Sequence, residues 1–347
     1  MNLSGFIVVI IVVLWRESEV GFGQFNDNYI RWDDLEVDDC GGETSSNRVI
    51  VVDKNGGGDS VTVQAAVDMV PDNNPHRVKI HIFPGVYREK VHIPKSKPYI
   101  SFIGYQHRAT ETVVTWHDKA SDSNGNGGQI RTWNSASVIV QSDYFCAAGI
   151  TFQNTVVAPA GGQGYQAVAL RIAGDKAMFY NVRFLGSQDT LLDESGTHYF
   201  YQCFIQGSTD FIFGNGRSLY EECTLSLVGN AYAIAAQSRN STDDDTGFSF
   251  VNCTVGGTGP VYLGRAWGYY SRVIYSYTEL DIDINPEGWR DMGDTSRHDN
   301  VVLGEYECRG KGADRRGRVR WSKGLSYNEA KPYLDTTFIS GELWLRL

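Results

Sequence analysis

The sequence predicts an all-β protein, a solenoid of stacked coils known as a parallel β-helix, with a short helix near its N-terminus. Val, Ile, Thr, Tyr and Phe recur in short runs that end at Gly or Asn, a pattern typical of strands, whereas stretches that favour helix are few. A strand-like segment is also repeated in the middle of the chain. With 347 residues, 41% of them hydrophobic, the chain can bury a large core in one domain.

The short helix is predicted at SVTVQAAVDMV (60–70), directly after the glycine-rich NGGGDS (55–60). A phosphate-binding loop would need the ending GK followed by Ser or Thr, which this segment lacks. We therefore interpret the glycines as a turn between a strand and the helix.

The repeat has spacings that suit stacked coils. Similar segments begin with an apolar or aromatic residue, continue with a polar residue and then Val or Cys; they are FYNVRFLG (179–186), FYQCFIQG (200–207), LYEECTLS (219–226) and FVNCTVGG (250–257). Aligning Val182, Cys203, Cys223 and Cys253 as one column gives intervals of 21, 20 and 30 residues. These intervals are too irregular for a propeller, but they fit coils with variable loops that stack at the strand spacing of about 4.8 Å.

Two aspartates occupy equivalent positions in this repeat. Asp189 follows Val182 by seven residues, and Asp210 follows Cys203 by seven residues, so their side chains should stack on one face of consecutive coils. Two carboxylates that close do not ionise independently, because one keeps its proton while the other is anionic. A proton donor beside an anionic nucleophile suits covalent acid–base hydrolysis. On spacing alone, a pair of turn aspartates capping adjacent loops explains the pattern equally well.

The six cysteines form no CxxC pair and no Cys/His spacing typical of a metal site. In an oxidising compartment they are candidates for disulfides or buried thiols. The column places Cys203 next to Cys223, and we predict a disulfide between them. Cys253 lies in the same column, so Cys223–Cys253 is the competing pair.

The formal net charge of −10 disfavours a nucleic-acid-binding function, which calls for a basic face. One basic cluster, RRGRVR (315–320), is interpreted as a solvated loop that enters a strand.

The N-terminus predicts export. The apolar run from Phe6 to Trp15 is too short to span a bilayer and suits a signal peptide, so we assign 1–23 to the signal and 24–47 to an extension that precedes the β-helical domain (48–347). Sequons at Asn240 and Asn252 are predicted glycosylation sites, which fits a secreted protein without a membrane anchor after cleavage.

Six motifs in order resemble the signature blocks of plant pectin methylesterases, and the resemblance covers roughly residues 48–347. The motifs are GVYREKV (85–91), QAVALR (166–171), GSQDTL (186–191), DFIFGNG (210–216), YLGRAWG (262–268) and INPEGW (284–289). The resemblance implies a right-handed parallel β-helix that hydrolyses methyl esters of cell-wall homogalacturonan without a metal or other cofactor. Many members of that family also carry an inhibitor-like pro-region; because only the short segment 24–47 separates the predicted signal from RVIVVDKNGGG, we predict the form without it. We further predict a monomer, with proteinaceous pectinesterase inhibitors as candidate partners.

Carried over position by position, the resemblance assigns catalytic roles. Asp210 is the nucleophile that attacks the ester carbonyl, and Asp189 is the general acid and then the base. Gln166 and Gln188 donate hydrogen bonds to the tetrahedral oxyanion. Arg265 pairs with Asp210 and holds it ionised.

The resemblance also assigns substrate contacts. Trp267 and Trp289 are expected to offer flat apolar faces to sugar rings, and Thr132 to contact the substrate together with Gln166 and Arg265.

Two rival functions are considered. The first is another β-helical pectin enzyme, either a glycosidase or a lyase. An inverting glycosidase would need its carboxyls further apart, and a lyase would need a calcium cluster. A non-catalytic wall-binding homologue would have lost at least one of the catalytic residues, and all of them are present.

Overall fold

The computed structural model describes residues 29–37, 48–159 and 161–347, and in these residues the chain forms a parallel β-helix. Each coil contributes one strand to each of three long sheets, and the strands of all three sheets pair in parallel. The predicted fold is therefore confirmed. The predicted signal peptide (1–23) lies outside the described residues.

Three long sheets and one short sheet are present, and we refer to the long ones as sheets I, II and III. Sheet I has eleven strands: Arg48–Val52, Val78–Ile82, Ile100–Ile103, Cys146–Ala148, Ala177–Tyr180, Thr197–Tyr201, Arg217–Glu221, Gly247–Val251, Arg272–Ser276, Val302–Tyr306 and Lys323–Gly324. Sheet II has eight: Gly85–Arg88, Thr112–Trp116, Thr151–Asn154, Arg183–Leu185, Phe204–Gly207, Thr224–Leu227, Thr254–Gly257 and Glu279–Asp281. Sheet III has eight: Val91–Ile93, Val138–Val140, Leu170–Ile172, Leu191–Asp193, Thr209–Gly214, Ala233–Gln237, Tyr262–Ala266 and Trp289–Arg290. The short sheet pairs Ile30–Arg31 with Leu345–Arg346.

Helices are short and lie at the ends of the solenoid or in its loops. The α-helices are Val63–Asp68, Arg131–Asn134 and Tyr327–Ala330. The 3-10 helices are Trp32–Leu35, Gln106–Arg108, Thr295–Arg297, Lys311–Ala313, Lys331–Tyr333, Thr336–Ile339 and Gly341–Leu343. The first α-helix matches the predicted one, and Thr62 caps it by accepting a hydrogen bond from the backbone N–H of Ala65. Among the residues that the structure describes, no helix is both long and apolar enough to cross a membrane.

The core is built by stacking equivalent residues of successive coils. Along sheet I the inward rings of Phe179, Phe200, Tyr220, Phe250 and Tyr275 stack nearly parallel, with centroids 4.5–4.7 Å apart. This spacing equals the strand spacing, because each ring belongs to the next coil. Fixed stacking of large rings makes a shift of one coil by a single residue costly.

The predicted column of the repeat is also observed, but the disulfide within it is not. Residues 204, 224 and 254 pair in register, so Cys203, Cys223 and Cys253 stack one behind the other. All three are buried free thiols. In-register side chains of a parallel sheet point the same way at a separation of about 4.8 Å, whereas a disulfide needs Cβ atoms about 3.8 Å apart. The prediction of a Cys203–Cys223 bond is therefore wrong for this structure.

The described N-terminal segment (29–37) and the C-terminal segment meet on the outer face of sheet I. Ile30 and Leu35 of the N-terminal segment pack with Phe338 and Trp344 against outward residues of the sheet such as Met178, and all of these side chains are buried. Residues 29–37 of the predicted extension are therefore part of the folded body.

A fully buried polar cluster lies inside the solenoid. His198 places Nε2 2.9 Å from the carbonyl oxygen of Gly174 and Nδ1 2.6 Å from a carboxylate oxygen of Asp193, whose other oxygen accepts from the hydroxyl of Tyr220 at 2.6 Å. Burial by itself lowers the pKa of His198, but the charge and hydrogen bond of Asp193 outweigh it and raise that pKa above its ordinary value. The imidazole therefore stays protonated to a higher pH than an ordinary histidine does.

We expect this cluster to make stability decrease at alkaline pH. The raised pKa of His198 stabilises the fold fully below about pH 6.5, and this contribution is lost as pH rises through the folded-state pKa. His198→Gln should have a lower melting temperature than wild type at acidic pH, and the gap should narrow as pH rises. Thermal melts across pH test this, with the exposed His107→Gln as control. A gap that is constant with pH would contradict the assignment.

Candidate active site

Asp189 and Asp210 lie side by side at the start of neighbouring strands of sheet III. Gln188 pairs with Thr209, and the backbone N–H of Asp189 donates to the carbonyl of Thr209 at 3.0 Å, so the two aspartates occupy the same position on consecutive coils. Both residues have positive φ angles, 63° and 48°, in the left-handed region that Asp tolerates better than most residues. The predicted juxtaposition is confirmed.

A β-bulge directs Asp210 out of the sheet. Against the next strand the register shifts between Thr209 and Ile212, so that two residues of the Asp210 strand oppose one residue of its neighbour. Bulges of this kind bend a strand and redirect a side chain, and they are frequent beside active sites. The carboxyl of Asp210 thereby points toward the outer face, while the strand remains paired within sheet III.

Arg265 binds Asp210 from two coils away. Its Nε donates to one carboxylate oxygen of Asp210 at 2.8 Å, and a terminal nitrogen of the guanidinium donates to the other oxygen. This is a two-point pair of the kind that a planar guanidinium forms with a carboxylate. The predicted partnership of Arg265 with Asp210 is present.

The two carboxyls have different electrostatic surroundings. Burial raises the pKa of Asp210, and the charge and hydrogen bonds of Arg265 counteract part of this rise. The pKa of Asp189 is raised well above its ordinary value, first by burial and then by the charge of Asp210. Arg265 was expected to hold Asp210 ionised; its effect has that sign, although burial outweighs it. Asp189 is therefore the carboxyl that retains a proton while Asp210 ionises.

A cleft opens above this pair on the outer face of sheet III. The residues that line it are Thr132, Trp133, Gln166, Gln188, Asp189, Asp210, Phe213, Ala236, Arg265, Trp267 and Met292. The structure thus brings together seven of the residues predicted for the site. Trp267 is 37% exposed, and its ring packs over Phe213 with centroids 6.2 Å apart.

Trp289 was predicted to offer a face to sugar rings, and this prediction is wrong. Arg265 pairs with Arg290 and Gly264 pairs with Trp289, so Trp289 points inward where Arg290 points outward. Its ring is 1% exposed and packs against Tyr275 in the core. Gly264 leaves the space for it, because a Cβ at that position would lie 3.1 Å from the indole.

Four cleft residues escaped the sequence analysis, namely Trp133, Phe213, Ala236 and Met292. Trp133 directly follows Thr132 in RTWNSASV, and an exposed aromatic beside a predicted contact residue was the available signal. Phe213 belongs to DFIFG, where the alternation of the strand puts it on the outer face. Met292 lies in a loop without a recognisable pattern.

The two sequons lie on the surface. Asn240 and Asn252 are both exposed, and Asn240 accepts a hydrogen bond from the backbone N–H of Tyr269 at 3.2 Å. This bond uses the side-chain oxygen and leaves the nitrogen that a glycan would modify. Glycosylation at both sites remains a prediction. In the described ranges, no three His, Cys, Asp or Glu side chains are grouped so as to hold a metal ion.

The structure is a parallel β-helix with an open groove, and the groove holds an arginine-paired aspartate, a second buried aspartate and an exposed tryptophan. This is the architecture of a hydrolase that acts on a long polymer. The comparisons with known proteins agree. The family model named Pectinesterase matches residues 49–342. The chain is 56% identical to Pectinesterase QRT1 of Arabidopsis thaliana, over 95% of this chain and 93% of that protein.

A solved structure gives the same result. The chain resembles the pectin methylesterase from carrot with a TM-score of 0.79 and 35% identity, covering 87% of this chain and 96% of that one. It is also 43% identical to Probable pectinesterase 8 of Arabidopsis thaliana, over 88% of this chain and 78% of that protein. The chain therefore belongs to the pectinesterase family, and it is a carboxylic ester hydrolase.

The site should carry a measurable cost in stability. The folded-state pKa of Asp189 is raised. The stability that the protonated carboxyl contributes is therefore fully present below the ordinary Asp pKa and is lost as pH rises through the raised pKa. Asp189→Asn removes the ionisable group, so its melting temperature should exceed that of wild type at neutral pH and should differ little at about pH 3.

Thermal melts at both pH values measure this difference. Asp314→Asn is the control, because the carboxyl of Asp314 is half exposed and its pKa is lowered to about 2 by hydrogen bonds from Arg316. A variant at 189 that is less stable than wild type at neutral pH would show that the carboxylate is stabilised in the fold.

Proposed function

We propose that this chain is a pectin methylesterase that converts methyl esters of homogalacturonan to pectate and methanol, with Asp210 as nucleophile and Asp189 as acid and base. The observation that carries this proposal is the unlike surroundings of two adjacent aspartates in one cleft. Asp210 receives both hydrogen bonds from Arg265, while Asp189 has the more strongly raised pKa. One acid and one anion are what the first step requires.

In the first step an oxygen of Asp210 attacks the ester carbonyl carbon. The tetrahedral intermediate places negative charge on the former carbonyl oxygen, and the side-chain amides of Gln166 and Gln188, which line the same cleft, donate hydrogen bonds to it. When the intermediate collapses, the bond to the methoxy oxygen breaks, and Asp189 gives its proton to the departing methanol. An acyl-enzyme anhydride on Asp210 and an ionised Asp189 remain.

In the second step Asp189 acts as the base. It takes a proton from a water molecule, whose oxygen attacks the acyl carbon, and the bond to Asp210 breaks. Asp210 leaves as a carboxylate that Arg265 stabilises, and Asp189 is protonated again. The product acid releases its proton to solvent, so each cycle consumes one water and one ester and yields methanol, a carboxylate and a proton.

The position of the two aspartates favours this esterase chemistry over an inverting glycosidase. Inverting glycosidases keep their carboxyls about 6.5–9.5 Å apart to admit a water. Asp189 and Asp210 lie on adjacent paired strands, where the backbone separation is about 4.8 Å. Membership in the pectinesterase family supports the same conclusion, and retention of every catalytic residue argues against a non-catalytic wall-binding homologue.

The proposal includes a cellular setting. We place the protein outside the cell, in the plant cell wall, where its polymer substrate is found, and we expect it to act as a monomer. A proteinaceous inhibitor that covers the cleft is a further proposed partner. The predicted signal segment and the exposed sequons Asn240 and Asn252 support export.

The catalytic assignment predicts large losses of activity. Asp210→Asn and Asp189→Asn should each lower methanol release from esterified pectin by at least about 10³-fold, because each removes a group that the reaction needs. The exposed Asp281→Asn is the matched control and should retain full activity. Viscosity followed in parallel separates the esterase from a chain-cleaving enzyme. Near-normal turnover in either active-site variant with an intact fold would overturn the assignment.

The basic cluster near the C-terminus does not serve the cleft. Arg318 is buried and pairs with Glu305 at 2.9 Å, Arg315 lies 3.5 Å from the same carboxylate, and Arg316 pairs with Asp314. None of these arginines is among the described residues that line the cleft. The prediction of a solvated loop fits Arg316 but not Arg318, whose guanidinium is enclosed.

We therefore expect a salt effect that depends on the substrate. The chain has a formal charge of −10, and each turnover makes the polymer more anionic, so repulsion builds up over the Debye length of about 10 Å at 0.1 M salt. Added monovalent salt should raise the initial rate on partly de-esterified pectin more than on fully esterified pectin. Initial rates against salt concentration at one pH test this. Inhibition by salt on the de-esterified substrate would mean that a locally basic cleft outweighs the net charge.

A further inference from the structure

An exposed tryptophan at the wall of the cleft is held by an ion pair that the chemistry does not use. Trp133 is 40% exposed and lines the cleft together with the two aspartates. Its indole N–H donates to a carboxylate oxygen of Glu194 at 3.1 Å. Glu194 is itself bound at two points by Arg171, through Nε at 2.5 Å and a terminal nitrogen at 3.1 Å.

The position of this cluster follows from the outward row of sheet III. Register pairing places Arg171, Leu192, Phe213, Ala236 and Arg265 in one continuous row across five coils. The middle three are apolar, and two of them, Phe213 and Ala236, line the cleft; an arginine stands at each end of the row. Four strand steps separate the two arginines, which corresponds to roughly 19 Å. Arg265 serves the reacting carboxylate, whereas Arg171 is engaged by Glu194.

The contacts of Trp133 restrict a side chain that would otherwise be free to turn. Trp133 lies on the short helix Arg131–Asn134 and is 40% exposed, and an exposed side chain without a fixed contact can adopt several rotamers. A single hydrogen bond to a charge-paired acceptor fixes the ring, since Glu194 cannot move without breaking its bonds to Arg171. A ring that is exposed and yet fixed is suited to stacking on a ligand, because binding then costs little conformational entropy.

The ion pair also removes an electrostatic conflict. Glu194 close to the cleft would repel a polymer of uronic acids if its charge were uncompensated. Both of its oxygens accept from Arg171, so the polymer meets a neutral pair.

We propose that Trp133 is a substrate-contacting residue that stacks on a galacturonosyl ring next to the reacting one, and that Glu194, held by Arg171, is the positioning residue that orients the indole. This inference rests on the proposed function and adds a binding position on the side of the cleft away from Arg265. The face of an indole and the C–H face of a pyranose are complementary apolar surfaces.

The experiment is a double-mutant cycle in the full-length protein. Trp133→Ala should raise KM for long, highly esterified homogalacturonan about tenfold, with kcat changed by less than about threefold, since about 1.4 kcal/mol of stacking is lost. Trp133→Phe retains a ring without the N–H, so an intermediate KM is expected. Tyr327→Ala, which removes an exposed aromatic residue that does not line the cleft, is the control and should leave KM unchanged.

Glu194 is tested through its dependence on the indole N–H. Glu194→Ala should raise KM in the wild-type background and have a smaller effect in the Trp133→Phe background, where there is no N–H to orient. Release of Arg171 would alter binding of the polymer by the same factor in both backgrounds, so only the difference between them reports the hydrogen bond. Glu194→Gln keeps an acceptor oxygen and should lie closer to wild type than Glu194→Ala.

Equilibrium binding of a methyl-esterified oligogalacturonide to the Asp210→Asn protein supplies a readout that does not need turnover. Weaker binding on adding Trp133→Ala supports the inference. Unchanged KM and unchanged binding in Trp133→Ala, with a normal melting temperature, would overturn the stacking role, and equal effects of Glu194→Ala in both backgrounds would overturn the positioning role. A wild-type protein that binds the oligomer but releases no methanol would contradict the proposed function instead.

Discussion

The in-register stacking of parallel coils is the constraint on which the rest of this structure depends. Each residue of a coil has the corresponding residues of its neighbours directly above and below it at the strand spacing, so any chemical type that recurs becomes a column. Inside the solenoid this produces the stack of rings from Phe179 to Tyr275. On the outer face it places Asp189 beside Asp210. The same register that builds the core thus builds the active site.

Stacking alone would make the two aspartates equivalent, whereas the proposed mechanism needs them to differ. The difference comes from Arg265, which lies two coils beyond Asp210 in the outward row. The intervening residue of that row is Ala236, whose small side chain lets the guanidinium cross over it to Asp210. Asp189 lies one coil further away and receives no hydrogen bond from Arg265 among the described contacts. Distance along the solenoid therefore gives the two carboxyls the unlike surroundings on which the proposed mechanism relies.

Much of this arrangement could be predicted from the sequence because it follows from periodicity. The interval of 21 residues fixed the pairing of Asp189 with Asp210, and the column of Cys203 and Cys223 was correct. The wrong predictions concern features that depend on local geometry and not on the repeat period alone. In-register thiols are too far apart and too parallel to bond, and the inward or outward parity of Trp289 depends on its pairing with Gly264. Trp133 lies in a loop helix that follows no repeat, so periodicity carries no information about it.

The outward rows of the sheets differ in what covers them: that of sheet I is covered by segments near the two termini, whereas part of the outward row of sheet III lines the cleft, as a polymeric ligand would require. In sheet III the row runs from Arg171 through three apolar residues to Arg265, with successive residues about 4.8 Å apart, so its charged groups lie at the two ends of an apolar stretch. Only one step carries the carboxylate pair. The neighbouring steps can therefore bind and align the polymer without reacting with it, and loops that carry Trp133 and Trp267 supply aromatic surface that strands alone would have to bury. In the proposed function, recognition would thus be spread along the axis, while the chemistry would be confined to the two coils that hold Asp189 and Asp210.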